Sequence, residues 1–305
     1  MPIQWFPGHM HKARKEIASV LPSTDIIVEV LDARIPYSSQ NPMLKELRGD
    51  RPCLRVLTKS DLADPAKTDI WIAAMKNSNT DALAIQKDAA DTATNVISTI
   101  KNLCPRTPGQ LKPSVTLVVG IPNVGKSTLI NTLVGRAAAK TGNEPAITKR
   151  QQLIRLSDNW QLRDTPGVLW PNLENVLGGY RLAATGAIRD TAMDSSDVAV
   201  HLLDYLKGEY QSELHVRYGE CSSDDSVAWL EHIGTSRGCL GAGGLVDFDR
   251  AARILLNEFR SGELGRVSLE TPDMQIEEEQ NVLRLRSEKK AKKKLRRRSS
   301  SQGKQ

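Results

Sequence analysis

Residues 120–128 read Gly120-Ile121-Pro122-Asn123-Val124-Gly125-Lys126-Ser127-Thr128, directly after the apolar run Val115–Val119. A GxxxxGK[ST] spacing at the end of a strand predicts a phosphate-cradling loop that opens a helix. Glycine at the tight positions lets successive backbone N–H groups face one phosphate, where the helix N-terminus also favours negative charge. Asn123, Val124, Gly125, Lys126, Ser127 and Thr128 are therefore candidate nucleotide contacts, with Lys126 on the β- and γ-phosphates and Ser127 on magnesium.

Working outward, residues 26–31, 53–57, 82–85 and 115–119 are short Val/Ile/Leu-rich runs, read as buried strands of a parallel sheet. Segments of helical length and composition lie at about 9–21, 65–77, 89–103 and 126–134. That alternation predicts a doubly wound α/β layer structure. After the phosphate loop, residues 152–156 and 160–164 flank Ser157-Asp158-Asn159, which predicts a hairpin and one antiparallel edge strand. Beyond Pro171 the apolar spacing shifts to three or four, so a smaller all-helical domain is expected. The domains expected are 1–171, 172–265, and a flexible tail over 266–305, acidic and then basic.

Asp164-Thr165-Pro166-Gly167 lies 37 residues after Ser127. There a carboxylate can hold magnesium through water while the Gly167 amide approaches the γ-phosphate. Between the two motifs, the polar residues 140–152 contain Thr148, which resembles a switch threonine completing the magnesium shell; an ordinary solvent loop is the other reading. Ser127, Thr148 and Asp164 form the candidate magnesium set. Lys126, Thr148 and Gly167 are the candidate catalytic residues of this half.

Thr58-Lys59-Ser60-Asp61 follows the strand 53–57 and resembles a guanine-reading loop. Asp61 would accept from guanine N1 and N2 while the Lys59 stem packs along the purine. Adenine lacks that donor pair and would leave Asp61 unpaired, at a cost of roughly 1–3 kcal/mol. The motif precedes the phosphate loop, opposite to the usual chain order. In a parallel sheet the ligand sits beyond the carboxyl ends of the strands whichever strand is threaded first, so a circular permutation preserves the site. Thr58 replaces the commoner asparagine, and its hydroxyl can tie this loop to the phosphate loop. Residues 84–87, Ala84-Ile85-Gln86-Lys87, stand where a second base-contact loop belongs but lack its usual Ser-Ala.

The 305 residues carry a net charge of +6. Residues 284–305 hold eleven Lys/Arg and one acid, leaving 31 bases and 35 acids in the rest, a balance of −4. Basicity thus belongs to the tail and points to a polyanionic partner. A solubilising end is the alternative. The tail has no aromatics for base stacking. Cys53, Cys104, Cys221 and Cys239 lie far apart without a CxxC pair, arguing against a zinc knuckle or disulfide framework. No run nears the eighteen or so apolar residues of a membrane span, so a cytoplasmic protein without a membrane partner is expected.

The permuted order, residues 3–17 (Ile3-Gln4-Trp5-Phe6-Pro7-Gly8-His9 onward), residues 25–44 and residues 120–131 together closely resemble ribosome biogenesis GTPase A, the YlqF/RbgA family. The likeness covers about residues 3–170. It implies a circularly permuted P-loop GTPase domain, GTP and GDP as ligands, and Mg2+. It also implies a role in late maturation of the large (50S) ribosomal subunit, with the helical domain contacting rRNA. Off the ribosome a monomer is expected. Val168 stands where many GTPases orient water with glutamine, and an apolar side chain cannot do so. The resemblance assigns that role to His9; a structural histidine is the alternative. Asn123 resembles the asparagine that coordinates K+ in cation-activated relatives; local loop stabilisation is the alternative. Three competing functions are a P-loop kinase or ATPase, a GTP-regulated RNA-binding chaperone and a small-subunit assembly GTPase.

Overall fold

The computed structural model describes residues 15, 17–86, 89–135, 152–167 and 175–302. Six strands form one sheet: β1 (Ile26–Asp32), β2 (Cys53–Thr58), β3 (Thr80–Ala84), β4 (Ser114–Gly120), β5 (Gln152–Ser157) and β6 (Trp160–Asp164), in the order β3-β2-β1-β4-β6-β5. Every pairing is parallel except β5 with β6, the expected hairpin at the edge. All seven residues of β1 are buried, which explains why its sequence lacks the alternation of a one-faced strand.

Among the described residues, four helices lie between the strands: α1 (Pro42–Leu47), α2 (Pro65–Met75), α3 (Thr92–Leu103) and α4 (Lys126–Val134). Asp64 accepts from Ala66 N and Lys67 N with Pro65 at the first turn, so α2 starts where its cap dictates. The short α1 was absent from the sequence expectation, although Asn41-Pro42 carries the same cap-and-proline signal. Of the helix expected over 9–21, residues 15 and 17–20 are described and helical, with Ile17 and Val20 buried.

The second unit is helical: α5 (Val176–Ala184), α6 (Ser195–Glu209), α7 (Gln211–Tyr218), α8 (Ser226–Ser236) and α9 (Phe248–Ser261). Asp194, Asp225 and Asp247 cap α6, α8 and α9. Leu203, Trp229, Ile233, Leu255 and Phe259 are buried together at its centre. Such apolar burial stabilises by roughly 1.5–3 kcal/mol per large side chain.

The structure corrects the expectation of a flexible segment from residue 266. Val267, Ser268, Leu269 and Glu270 are buried, because the apolar pair has a core to enter and the acid has partners. Glu270 accepts from Tyr37 N (2.7 Å), Ser38 N and Ser38 Oγ, and pairs with Arg181 Nη1 of α5 at 3.2 Å. Trp71 Nε1 donates to Glu270 O at 3.0 Å. Residues Pro272–Gln302 then form one helix, α10, where composition led to an expectation of disorder. Its early Glu278 meets Arg181 at 2.6 Å.

Glu270 joins the sheet domain, the helical domain and the C-terminal segment. Glu270→Gln turns an N–H2 group toward donors that need acceptors and is expected to cost about 2 kcal/mol. A urea denaturation midpoint that does not move would contradict this.

Candidate functional site

The phosphate loop leaves β4 at Gly120, where an added Cβ would lie 2.8 Å from Val30 O and 2.9 Å from Val124 Cγ1. The loop can pack on β1 only with glycine there. Asn123 (φ +56°) and Gly125 (φ +93°) adopt the left-handed region to turn the chain into α4. Lys126 is buried and its ammonium pairs with Asp164 of β6. Burial pushes the Lys126 pKa down, against the pull of Asp164. Ser127 is half-buried and Thr128 exposed on the first turn of α4.

The Asp164-Thr165-Pro166-Gly167 turn lies alongside. Thr165 Oγ1 donates to Val118 O at 2.8 Å, fixing the turn to β4. At Gly167 an added Cβ would meet Pro122 Cα and N at 3.1 Å, so the backbone of this turn rests on the phosphate loop. Asp164 is fully buried, and its Oδ2 has no hydrogen-bond partner among the described residues. A buried carboxylate oxygen beside Lys126, the residue that precedes Ser127, suits the outer shell of a magnesium ion.

The loop Thr58–Asp61 reaches the same place from the other direction. β1 lies between β2 and β4, and the Thr58 hydroxyl crosses it, within hydrogen-bond distance of Leu31 O (3.0 Å) and Val124 O. Gly125 lies against that side chain. Lys59 is left-handed at φ +58°, with its Nζ 2.8 Å from Asp32 Oδ2. Asp61 is exposed at the loop's outer end. Ser60 N donates to Ile85 O at 3.3 Å, placing residues 84–86 beside it. Thr58, Lys59, Asp61, Asn123, Val124, Gly125, Lys126, Ser127, Thr128, Asp164 and Gly167 thus gather at the carboxyl end of one sheet. His9, Thr148, Lys87 and Val168 lie outside the described residues.

Three features escaped the sequence reading. Asp32 closes β1 and holds both Lys59 and Arg34, accepting from Arg34 Nε at 2.9 Å and Nη2 at 2.8 Å. Burial raises the Asp32 carboxyl, but the Arg34 and Lys59 cations outweigh it and hold the group well below the usual carboxylate range. The Arg34 guanidinium lies 5.1 Å from the Phe259 ring centroid, in cation–π contact with α9. Asn123 Nδ2 donates to Gly186 O of the helical domain at 2.8 Å. An acid and a base two residues apart at the end of a Val/Ile/Leu-rich strand are the signal that could have exposed the first two; the third has none.

Residues 115–226 match the family described as 50S ribosome-binding GTPase. Over 281 residues the chain is 43% identical to ribosome biogenesis GTPase A of Priestia megaterium, covering 89% of this chain and 98% of that one. The chain belongs to the ribosome biogenesis GTPase A family. Mitochondrial ribosome-associated GTPase 1 of mouse is 34% identical over 88% of this chain and 90% of its own. Among solved structures, GNP-bound YlqF from T. maritima matches with a TM-score of 0.62 at 25% identity, covering 86% of this chain and 98% of that one; GDP-bound YlqF scores the same. Like other members of the ribosome biogenesis GTPase A family, the chain hydrolyses GTP on a circularly permuted fold and binds GTP and GDP. Among the described residues no helix is long and apolar enough to cross a membrane.

Gly167→Ala would force the switch turn off Pro122. A clash of this kind costs about 1 kcal/mol or more, so a non-hydrolysable GTP analogue is expected to bind about fivefold to tenfold more weakly. GDP, lacking the γ-phosphate, is expected to lose far less in a fluorescent-nucleotide titration.

Proposed function

We propose that the protein is a GTP-hydrolysing assembly factor for late maturation of the large (50S) ribosomal subunit, binding rRNA in a nucleotide-dependent way. The observation that carries this reading is the convergence of Thr58 and Val124: one pocket built from an early base loop and a late phosphate loop, in a family whose named relatives serve the ribosome. The phosphate loop touches the helical domain at Gly186, and the C-terminal helix, whose later turns are basic, is tied to that domain through Glu278 and Arg181.

In this reading Asp61 selects guanine, and Lys59 supports the purine face. Phosphoryl transfer is mostly positioning and charge stabilisation, so the roles follow from placement. Lys126 meets the β- and γ-phosphates once it leaves Asp164. Ser127, Thr148 and Asp164 would hold Mg2+, which when bound neutralises charge on the phosphate oxygens. Gly167 offers its amide to the γ-phosphate. His9 orients the attacking water when the ribosomal particle positions the N-terminal segment, since Val168 has no group to do it. Asn123 is the candidate ligand for K+, using its carbonyl oxygen while its amide donates to Gly186.

The segment after Gly167 leads straight into the helical domain, so the γ-phosphate can bias that domain's position. The basic residues 284–298 supply a polyelectrolyte contact with rRNA, and the folded domains supply specificity. The working place is the cytoplasm, with the protein monomeric away from the particle.

Asp61→Asn should exchange nucleotide preference, because xanthine presents a carbonyl at C2 where guanine presents an amine. Xanthosine diphosphate is expected to displace GDP as the tighter ligand in competition titrations; retained guanine preference would remove Asp61 from this role. Full-length protein should co-sediment with large-subunit precursors in the GTP-analogue state and less with GDP. Deleting residues 284–305 is expected to weaken that binding and flatten its salt dependence, by about 0.7–0.9 in logarithmic slope for each phosphate the tail had neutralised. An unchanged slope would refute the tail tether.

A further inference from the structure

A non-glycine residue in the left-handed region costs about 1 kcal/mol or more and persists only where its surroundings hold it. Lys59 is such a residue, in the loop that reads the base. From the front, Thr58 and the Lys59–Asp32 pair hold this loop. The rest of the loop is held from behind, by a segment more than two hundred residues away.

Helix α9 ends at Gly262 (φ +84°), where an added Cβ would lie 2.7 Å from Leu62 Cδ2. The chain then runs beside the loop as a strap. Arg266 Nη2 donates to Ser60 O and Nε to Ala63 O, each at 3.0 Å. Val267 N donates to Leu62 O at 3.0 Å. Asp64 N donates to Ser268 Oγ at 3.1 Å, and Leu269 N donates to Arg34 O at 2.8 Å. The carbonyls of Ser60, Leu62 and Ala63 and the amide of Asp64 are thus all satisfied by this one segment. They are the backbone groups that bracket Asp61.

We propose that Arg266 is a positioning residue for guanine recognition, its guanidinium fork setting the curvature of residues 60–63 so that the Asp61 carboxylate meets guanine N1 and N2 together. The proposal rests on Asp61 as the guanine acceptor. A fork to two carbonyls fixes their separation as well as their direction, which a lysine ammonium cannot do at both ends. Two-point recognition needs placement within about 0.5 Å, so the second contact, to N2, is the first to suffer when the loop relaxes.

The test compares GDP with inosine diphosphate, which keeps N1–H and lacks the N2 amine, by calorimetry on the full chain. In the parent protein GDP is expected to bind the tighter of the two, and Asp61→Asn is expected to abolish that preference. Arg266→Ala, at a solvent-exposed position, is expected to weaken GDP about tenfold and inosine diphosphate about twofold, narrowing the ratio about fivefold. Arg266→Lys should recover only part of the ratio. If Asp61→Asn abolishes the preference while Arg266→Ala leaves the ratio unchanged, or weakens both ligands equally, the positioning role is overturned and the base-reading loop stands. If Asp61→Asn leaves the preference intact, the loop assignment falls and the proposal with it. Ser268→Ala, which removes the acceptor for Asp64 N, provides a second variant and should narrow the ratio in the same direction.

Discussion

The hydroxyl of Thr58 joins the loop that follows β2 to the phosphate loop that follows β4. It stands at the end of β2, two strands from the phosphate loop, and reaches across the Leu31 carbonyl to that of Val124. Both loops must emerge at the same edge for this contact to form, which requires β2, β1 and β4 to be parallel and in register. Chain order is free under that constraint. What the site needs is neighbouring strand ends, and a sheet supplies them whichever strand is synthesised first.

Buried charge follows the same geometry. Asp32, Arg34 and Lys59 meet at the carboxyl ends of β1 and β2, Lys126 and Asp164 at the phosphate loop and the end of β6, and Glu270 with Arg181 at the junction of the two domains. Buried ion pairs are weak contributors to net stability, because desolvation offsets most of their attraction. Their more consistent effect is to fix geometry, since a displaced partner leaves a charge without compensation. Most of these pairs sit at the strand ends and the junction, with Glu29–Arg55 the mid-strand pair between β1 and β2, which fits a scaffold in which positions of loops matter as much as depth of core.

The sheet was legible because its central strands β1, β2 and β4 are largely buried on both faces and read as Val/Ile/Leu-rich runs, while turn chemistry marked the β5–β6 hairpin: all six strands fall within two residues of where periodicity and turn chemistry put them. The phosphate loop and Asp164–Gly167 were legible because their chemistry fixes residue type at each position. Residues 266–270 were misread because the polar composition that follows them dominates any window, and only Val267 and Leu269 hint at burial. The Asn123–Gly186 contact could not be read at all. It depends on how two domains meet, and no local pattern encodes that.

The strap also bears on how the molecule is made. Ser60 and Arg266 are separated by 206 positions, so the base loop leaves the ribosome long before the residues that cover its back. Domains form N-terminal first during synthesis, and contacts of such separation come late. Residues 60–64 therefore gain these backbone partners only when the end of the helical domain has been translated. With Asp61 as the proposed guanine acceptor, a nascent chain would acquire its full grip on guanine at nearly the same moment as its last helix, which would couple readiness for nucleotide to completion of the polypeptide.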